Sequence, residues 1–309
     1  MPGLRAVFVD ANETLAETME RLHRPDDMPV TVNRELDVQP EALPGVLDGS
    51  QIAIVDHTAL TAEIARRCAG LRHVVFLGTG IRSYMDPEAL AGAGVETHTI
   101  KGYGDTAVAE MAFALLWAAA KGLAHMDRGM RAGNWLRTDG EQLTGKTLGL
   151  VGFGGIAAEM ARLAGGAGMR VLAWNRTPKS CPGVTFTELD AVLAESHAVS
   201  VHLLLTDETR GLLSAGRLAR MRPGAILVNT ARGAIVDEAA MLDALRSGQL
   251  GHAALDVYDQ EPLPAGHPLT TMENVTLSAH SAFRTPEAGD NLIEAALEHC
   301  RRIAGESAP

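Results

Sequence analysis

The sequence predicts an α/β protein with two doubly wound parallel-sheet domains. Three observations predict it. Short β-branched runs alternate with helix-forming segments along the whole chain. At 309 residues the chain outgrows one core, and its 46% hydrophobic residues can fill two. No long Gly/Ser-rich linker separates the halves, so ordered crossovers near Gly104 and Phe283 should join the domains. The boundaries expected are 1–103, completed by 284–309, for the first domain and 104–283 for the second.

In the first domain the strand candidates are Arg5–Val9, Ile52–Val55, His73–Leu77 and Glu96–Ile100. Thr58 is placed to cap a helix over Ala59–Cys68, and Asp86-Pro87 opens another with proline at its first position. A long apolar-striped helix is expected from about Asp105 to Arg131, followed by a polar linker through Gly133 and Trp135. The second strand series runs Thr147–Gly152, Arg170–Trp174, Ala198–Leu204, Ala225–Asn229, His252–Val257 and Val275–Ser278. Helices are expected at Ile156–Leu163 and Glu238–Arg246, and an amphipathic helix over Pro286–Ile303 closes the chain.

Composition excludes several classes. With 27 Lys+Arg against 38 Asp+Glu the formal net charge is −11, so no nucleic-acid partner is expected, since phosphate backbones call for a basic face. One local arginine can still attract an anionic substrate. Cys68, Cys181 and Cys300 are odd in number and far apart, which fits idle thiols in a reducing cytoplasm rather than disulfides or a metal site; no metal is expected. The start MPGLRAVFVDAN lacks a basic segment followed by a long apolar one. The most apolar stretch, Ala107 to Ala120, carries Glu110 and is too short to span a bilayer, so a cytoplasmic protein without membrane contact is expected.

The clearest chemical signal is LGLVGFGGIAAEMARLAGGAGMRVLAWNR, residues 148–176. A strand ends in Gly152-Phe153-Gly154-Gly155-Ile156-Ala157, opens a helix and leads to a second strand, the context that makes a glycine-rich turn a dinucleotide fingerprint. Gly152 makes the tight turn, Gly154 lets the backbone approach a pyrophosphate, and Ala157 lets helix and strand pack closely. Gly152, Gly154, Gly155 and Ile156 should therefore lie against the cofactor, whose pyrophosphate sits on the helix N-terminus. Near the end of the second strand, where an acid usually accepts from the ribose hydroxyls, stands Asn175. It lacks the charge that repels a 2′-phosphate, and Arg176, Thr177 or Lys179 can hold one. NADP is therefore favoured over NAD.

Two further runs carry a resemblance. VNTARGAIVDEAAMLDALRSGQLGHAALDVYDQEPLPAGHPL (228–269) and NVTLSAHSAF (274–283) resemble the signature of the D-isomer-specific 2-hydroxyacid dehydrogenases. VAEMAFAL (108–115), GNW (133–135) and LTGKTLGLVGFG (143–154) are similar to motifs of that family in matching order. The resemblance implies a Rossmann dinucleotide domain and a flavodoxin-like substrate-binding domain. It also implies hydride transfer between NAD(P)H and a small 2-oxo or 2-hydroxy acid. The implied catalytic trio is Arg232, Glu261 and His280. The chemistry needs those types: a proton donor that titrates near neutrality beside the nascent alkoxide, a carboxylate to orient it, and a planar fork for the substrate carboxylate. By the same resemblance Asp256 should lie near the nicotinamide carboxamide, Thr230 and Ala231 should line the cofactor, and Thr79 and Gly80 should meet the substrate carboxylate with Arg232.

The sequence departs from the family pattern in the loop IRSYMD (81–86) and at Ala279 and Leu204, where proline is common. The loop borders the expected pocket, so the acid itself stays open, and Arg82 or Arg284 can meet a polar far end of the substrate. Two other readings are a corepressor-like nucleotide sensor without catalysis and oxidation of another small anion such as phosphite. The Ala, Met and Leu content of the 105–131 helix is read as part of a homodimer contact, although interdomain packing would explain the same composition.

Overall fold

The computed structural model describes residues 4–306, which fall into two compact units. One runs up to Gly104 and is completed by the residues from Thr285 on; the other is Asp105–Arg284.

The first unit contains β1 (Ala6–Phe8), α1 (Glu13–Leu22), β2 (Val30–Val32), α2 (Leu43–Val46), β3 (Ile52–Val55), α3 (Ala62–Arg67), β4 (His73–Phe76), α4 (Pro87–Gly92) and β5 (Glu96–Thr99). The strands form a parallel sheet in the order β2-β1-β3-β4-β5. Its central strands read as unbroken apolar runs because both faces are covered; every residue of β3 is buried. Leu43, Leu60, Leu71 and Leu90 fill one face. Ala16 and Met19 of α1, with Leu292, Ile293 and Ala296 of the C-terminal helix, fill the other.

The second unit begins with α5 (Asp105–Ala120) and α6 (Leu123–Arg131). It continues with β6 (Thr147–Val151), α7 (Gly155–Gly166), β7 (Arg170–Trp174), β8 (Val184–Phe186), α8 (Leu189–Glu195), β9 (Ala198–Val201), α9 (Ala215–Leu218), β10 (Ala225–Asn229), α10 (Glu238–Ser247), β11 (Leu250–Leu255) and β12 (Val275–Leu277). The last helix, α11 (Pro286–Glu306), belongs to the first unit. The second sheet is parallel in the order β12-β11-β10-β9-β6-β7-β8, so strand order reverses beside β6, where such sheets open a ligand crevice.

Two expectations are corrected. The single helix over 105–131 is broken at Gly122, which adopts a left-handed φ of 61°, and its two halves bend by 69°. The helix after β3 starts later than expected, because Thr61 caps it through the Ile64 N–H while Thr58 is drawn to Asp10. Within α5, Ala109, Ala112, Leu115 and Leu116 are buried against α7, β10 and β11. Large exposed apolar side chains sit instead at Leu123, Met130, Trp135 and Leu136. Among the described residues no single helix is long and apolar enough to cross a membrane.

Candidate active site

The turn between β6 and α7 has the build of a phosphate cradle. Gly152 holds φ at +90°, and a Cβ there would lie 2.4 Å from the His202 carbonyl oxygen, so only glycine fits. Around Gly154 a Cβ would meet nothing within 4 Å, which leaves the backbone open to a ligand. No side chain caps α7, so its first N–H groups face outward unpaired by a cap. Ala157 is fully buried, as close helix–strand packing requires, and Ile156 is half-buried. Asn175 braces the turn: its Oδ1 accepts from the Phe153 N–H at 3.0 Å, and its Nδ2 donates to the Thr177 carbonyl at 2.7 Å. Arg176, Thr177 and Lys179 are exposed.

Beyond β10 the chain turns at Thr230-Ala231-Arg232. Asn229 holds this turn, accepting from the Ala231 N–H and donating to the Arg232 carbonyl. Gly233 lets it back onto the next loop, since a Cβ there would sit 1.9 Å from the Tyr258 carbonyl carbon. Arg232 is half-buried and donates one hydrogen bond to the Ala231 carbonyl. Thr230 Oγ1 and His202 Nε2 are buried without a hydrogen-bond partner among the described residues. Such orphaned polar atoms, at the carboxyl ends of adjacent strands, are what a polar ligand would satisfy.

Glu261 and His280 meet. His280 Nδ1 lies 2.6 Å from Glu261 Oε2, and Glu261 Oε1 accepts from the Tyr258 N–H at 2.9 Å, so the carboxylate is itself oriented. Tyr258 is anchored in turn by its hydroxyl, which donates to the Ser278 carbonyl at 2.6 Å; burial pushes that phenol up to about 12. His280 adopts φ +47°, a conformation that costs a non-glycine residue about 1 kcal/mol or more and persists only where its surroundings enforce it. Asp256 enforces it. Its backbone carbonyl accepts from the His280 N–H, and its fully buried carboxylate accepts from the Ser278 hydroxyl and from the Ser281 and Ala282 N–H groups. Asp256, expected near the nicotinamide carboxamide, thus also staples the histidine loop.

The remaining expected residues lie on simpler loops. Thr79 is exposed and Gly80 half-buried after β4, and among the described residues neither backbone N–H has an acceptor. The Arg82 guanidinium is paired with Glu88 in solvent. Arg284 is exposed at the turn after His280.

Residues 113–282 match the family model described as D-isomer specific 2-hydroxyacid dehydrogenase, NAD binding domain. The chain is 35% identical over 320 residues to glyoxylate reductase of Aeropyrum pernix, covering 98% of this chain and 94% of that one. The chain belongs to the D-isomer-specific 2-hydroxyacid dehydrogenase family. Hydroxypyruvate reductase of Thermotoga maritima is 33% identical over 241 residues, 77% of each chain. The TT0316 protein of Thermus thermophilus superposes with a TM-score of 0.87 at 34% identity, covering 99% of this chain and 98% of that one. The dehydrogenase therefore takes a nicotinamide cofactor and reduces a 2-oxo acid. Its own residues fit that group: the open backbone at Gly154, the uncapped α7 and the orphaned Thr230 and His202 atoms lie at the carboxyl end of the second sheet.

Proposed function

We propose that the enzyme reduces a short 2-oxo acid, glyoxylate to glycolate or hydroxypyruvate to the D-2-hydroxy acid glycerate, with Arg232, Glu261 and His280 as its catalytic group. The observation that carries this reading is the 2.6 Å contact between His280 Nδ1 and Glu261 Oε2. With Nδ1 committed to the carboxylate, Nε2 is the nitrogen that delivers the proton to the carbonyl oxygen. Arg232 grips the substrate carboxylate through its guanidinium, and the Thr79 and Gly80 N–H groups supply further donors to it. A nicotinamide, when bound, supplies hydride to the carbonyl carbon. In the reverse direction the neutral His280 takes the hydroxyl proton. The first unit binds the acid and the second the dinucleotide.

NADPH is the preferred reductant in this reading. Asn175 carries no charge to oppose a 2′-phosphate, and the exposed Arg176, Thr177 and Lys179 follow it. The cytoplasm is its compartment, in keeping with three free thiols. A homodimer is the assembly, supported by the exposed apolar side chains at Leu123, Met130, Trp135 and Leu136.

Initial rates with glyoxylate, hydroxypyruvate, pyruvate and phenylpyruvate, each with NADH and NADPH, test the reading. Glyoxylate or hydroxypyruvate with NADPH should give the highest kcat/KM. Asn175→Asp should shift preference toward NADH by about tenfold through charge repulsion. A native enzyme that already prefers NADH tenfold would sink the NADPH assignment.

A further inference from the structure

At the far end of the first sheet from the Gly78–Gly80 loop, three metal-binding side chains converge. β4 and β5 run parallel in register with His73 opposite Glu96, the first residue of each strand. Side chains of directly paired residues share a face, and so does the one two residues on, His98. The result is His73 Nδ1 at 3.3 Å from His98 Nε2, with the Glu96 carboxylate 3.7 Å from His73 Nδ1 and 3.9 Å from His98 Nε2. The His98 side chain is only 8% exposed, so its ring is fixed, whereas Glu96 at 68% can adjust.

We propose that His73, Glu96 and His98 form a zinc-binding site that ties the edge strand β5 to β4. Ligand atoms about 2.0–2.1 Å from a tetrahedral ion stand roughly 3.3–3.4 Å apart, the spacing the two imidazole nitrogens already have. The 3.7 Å and 3.9 Å contacts are made by different Glu96 oxygens, so the carboxylate must turn to bring one oxygen onto the ion, within reach of an exposed side chain. Two imidazoles with one carboxylate suit zinc and its transition-metal neighbours, while calcium and magnesium require oxygen shells. Water completes the coordination from the solvent side.

The surroundings set one condition. Arg302 on α11 lies with Nη2 3.4 Å from His98 Nδ1 and 2.9 Å from His299 Nδ1. An arginine only donates, so in the metal-free form His98 Nδ1 accepts and Nε2 carries the proton toward His73. Zinc takes Nε2, moves that proton to Nδ1 and turns Arg302 fully onto His299. Binding thus releases no catalytic group and uses residues outside the site described above.

The test is zinc titration of the full chain after chelator treatment and dialysis, read by calorimetry and by metal content. One zinc per chain is expected, with His73→Asn and Glu96→Gln each weakening it about tenfold or more. His98→Asn should do the same, and the two more exposed positions keep the test valid if that buried variant fails to fold. Glyoxylate reduction by the His73 and Glu96 variants should match wild type, and His280→Ala should keep its zinc. No binding by the native chain at about 0.1 mM zinc would reduce the cluster to an N–H···N pair. Unchanged binding in His73→Asn would place the metal elsewhere. Either result overturns the proposal.

Discussion

The two sheets end in the same device with opposite chemical outcomes. In each, a fully buried aspartate just past a strand staples the loop that follows the neighbouring strand. Asp256 holds the loop after β12, and Asp10 holds the loop after β3 by accepting from the Asp56, His57 and Thr58 N–H groups and the Thr58 hydroxyl. Each stapled loop presents a histidine beside a carboxylate. His280 keeps Nε2 without a partner among the described residues. His57 spends both nitrogens: Nδ1 lies 3.3 Å from Asp56 and Nε2 donates to the Leu36 carbonyl at 2.8 Å. On the proposed reading, it is this unpartnered second nitrogen that lets His280 carry a proton to a substrate while His57 stays structural.

The sharpest way to break this comparison is to remove each histidine. His280→Ala should lower kcat for glyoxylate about 100-fold or more, the scale of a lost general acid, with cofactor affinity unchanged by fluorescence titration. His57→Ala should leave kcat within about tenfold. Near-normal turnover in the His280 variant would refute its role, and equal losses in both would show that the free nitrogen is not what separates them.

Next come the staples. Asp256→Asn replaces one accepting oxygen of a buried carboxylate that serves three donors, and hydrogen bonds to charged groups contribute about 1.5–3 kcal/mol each. A stability loss of about 2–4 kcal/mol in urea is expected, together with a fall in kcat as His280 leaves its left-handed conformation. Asp10→Asn should destabilise the first unit comparably while sparing kcat.

Much of this was legible in the sequence, and the reasons for the exceptions are physical. The second strand series and the glycine turn lie on contiguous runs whose local pattern is also their tertiary role, and the structure brings Glu261 and His280 together from two of the runs that carry the resemblance. The three-residue strands β2 and β8 have too few residues to show a period, whereas α1 does carry an apolar stripe, Leu15, Ala16, Met19 and Leu22, confined to 10 residues. Thr58 looked like a cap because nothing local reveals that Asp10, 48 residues away, would claim it. The staple role of Asp256 and the His73–Glu96–His98 cluster were likewise invisible, since both depend on which strands pair and in what register.

Acidification should weaken the second unit, whereas the first holds groups of both signs: His57 is raised, while burial lowers His98 and His299. In the second unit burial holds His202 and His252 down at about 4, so the unfolded chain binds more protons as pH falls below the ordinary histidine value of 6.5. Stability there should drop by roughly 2 kcal/mol per histidine between pH 7 and 5. In the first unit His57 is raised to about 9, chiefly by its hydrogen bond with Asp56. That contribution is fully present below 6.5 and is lost as pH rises through 9. Trp117, Trp135 and Trp174, the chain's 3 tryptophans, all lie in the second unit, so their fluorescence in urea reports on that unit. A tryptophan midpoint independent of pH from 7 to 5 would contradict the burial of these rings.

The smallest effect is expected at Arg82, and it bears on how the enzyme sees the far end of its substrate. Arg82 follows the Gly78–Gly80 loop, Arg284 follows the histidine loop, and both are exposed. Their guanidinium groups differ in one respect: Arg82 is paired with Glu88, with the two side chains 68% and 69% exposed, while Arg284 has no ion pair among the described residues. A guanidinium already neutralised by a flexible carboxylate has little left for a polar substrate, and a solvated pair of this kind adds little to the fold. Arg82→Ala should therefore leave KM for hydroxypyruvate and for pyruvate within about twofold of wild type, with stability unchanged. Arg284→Ala should raise KM for hydroxypyruvate by about tenfold and leave pyruvate alone, as loss of one charged hydrogen bond would. A hydroxypyruvate defect in the Arg82 variant that Glu88→Gln deepens rather than relieves would show that the pair acts as a unit in recognition. Equal KM changes for both acids in the Arg284 variant would remove that residue from the far end of the site.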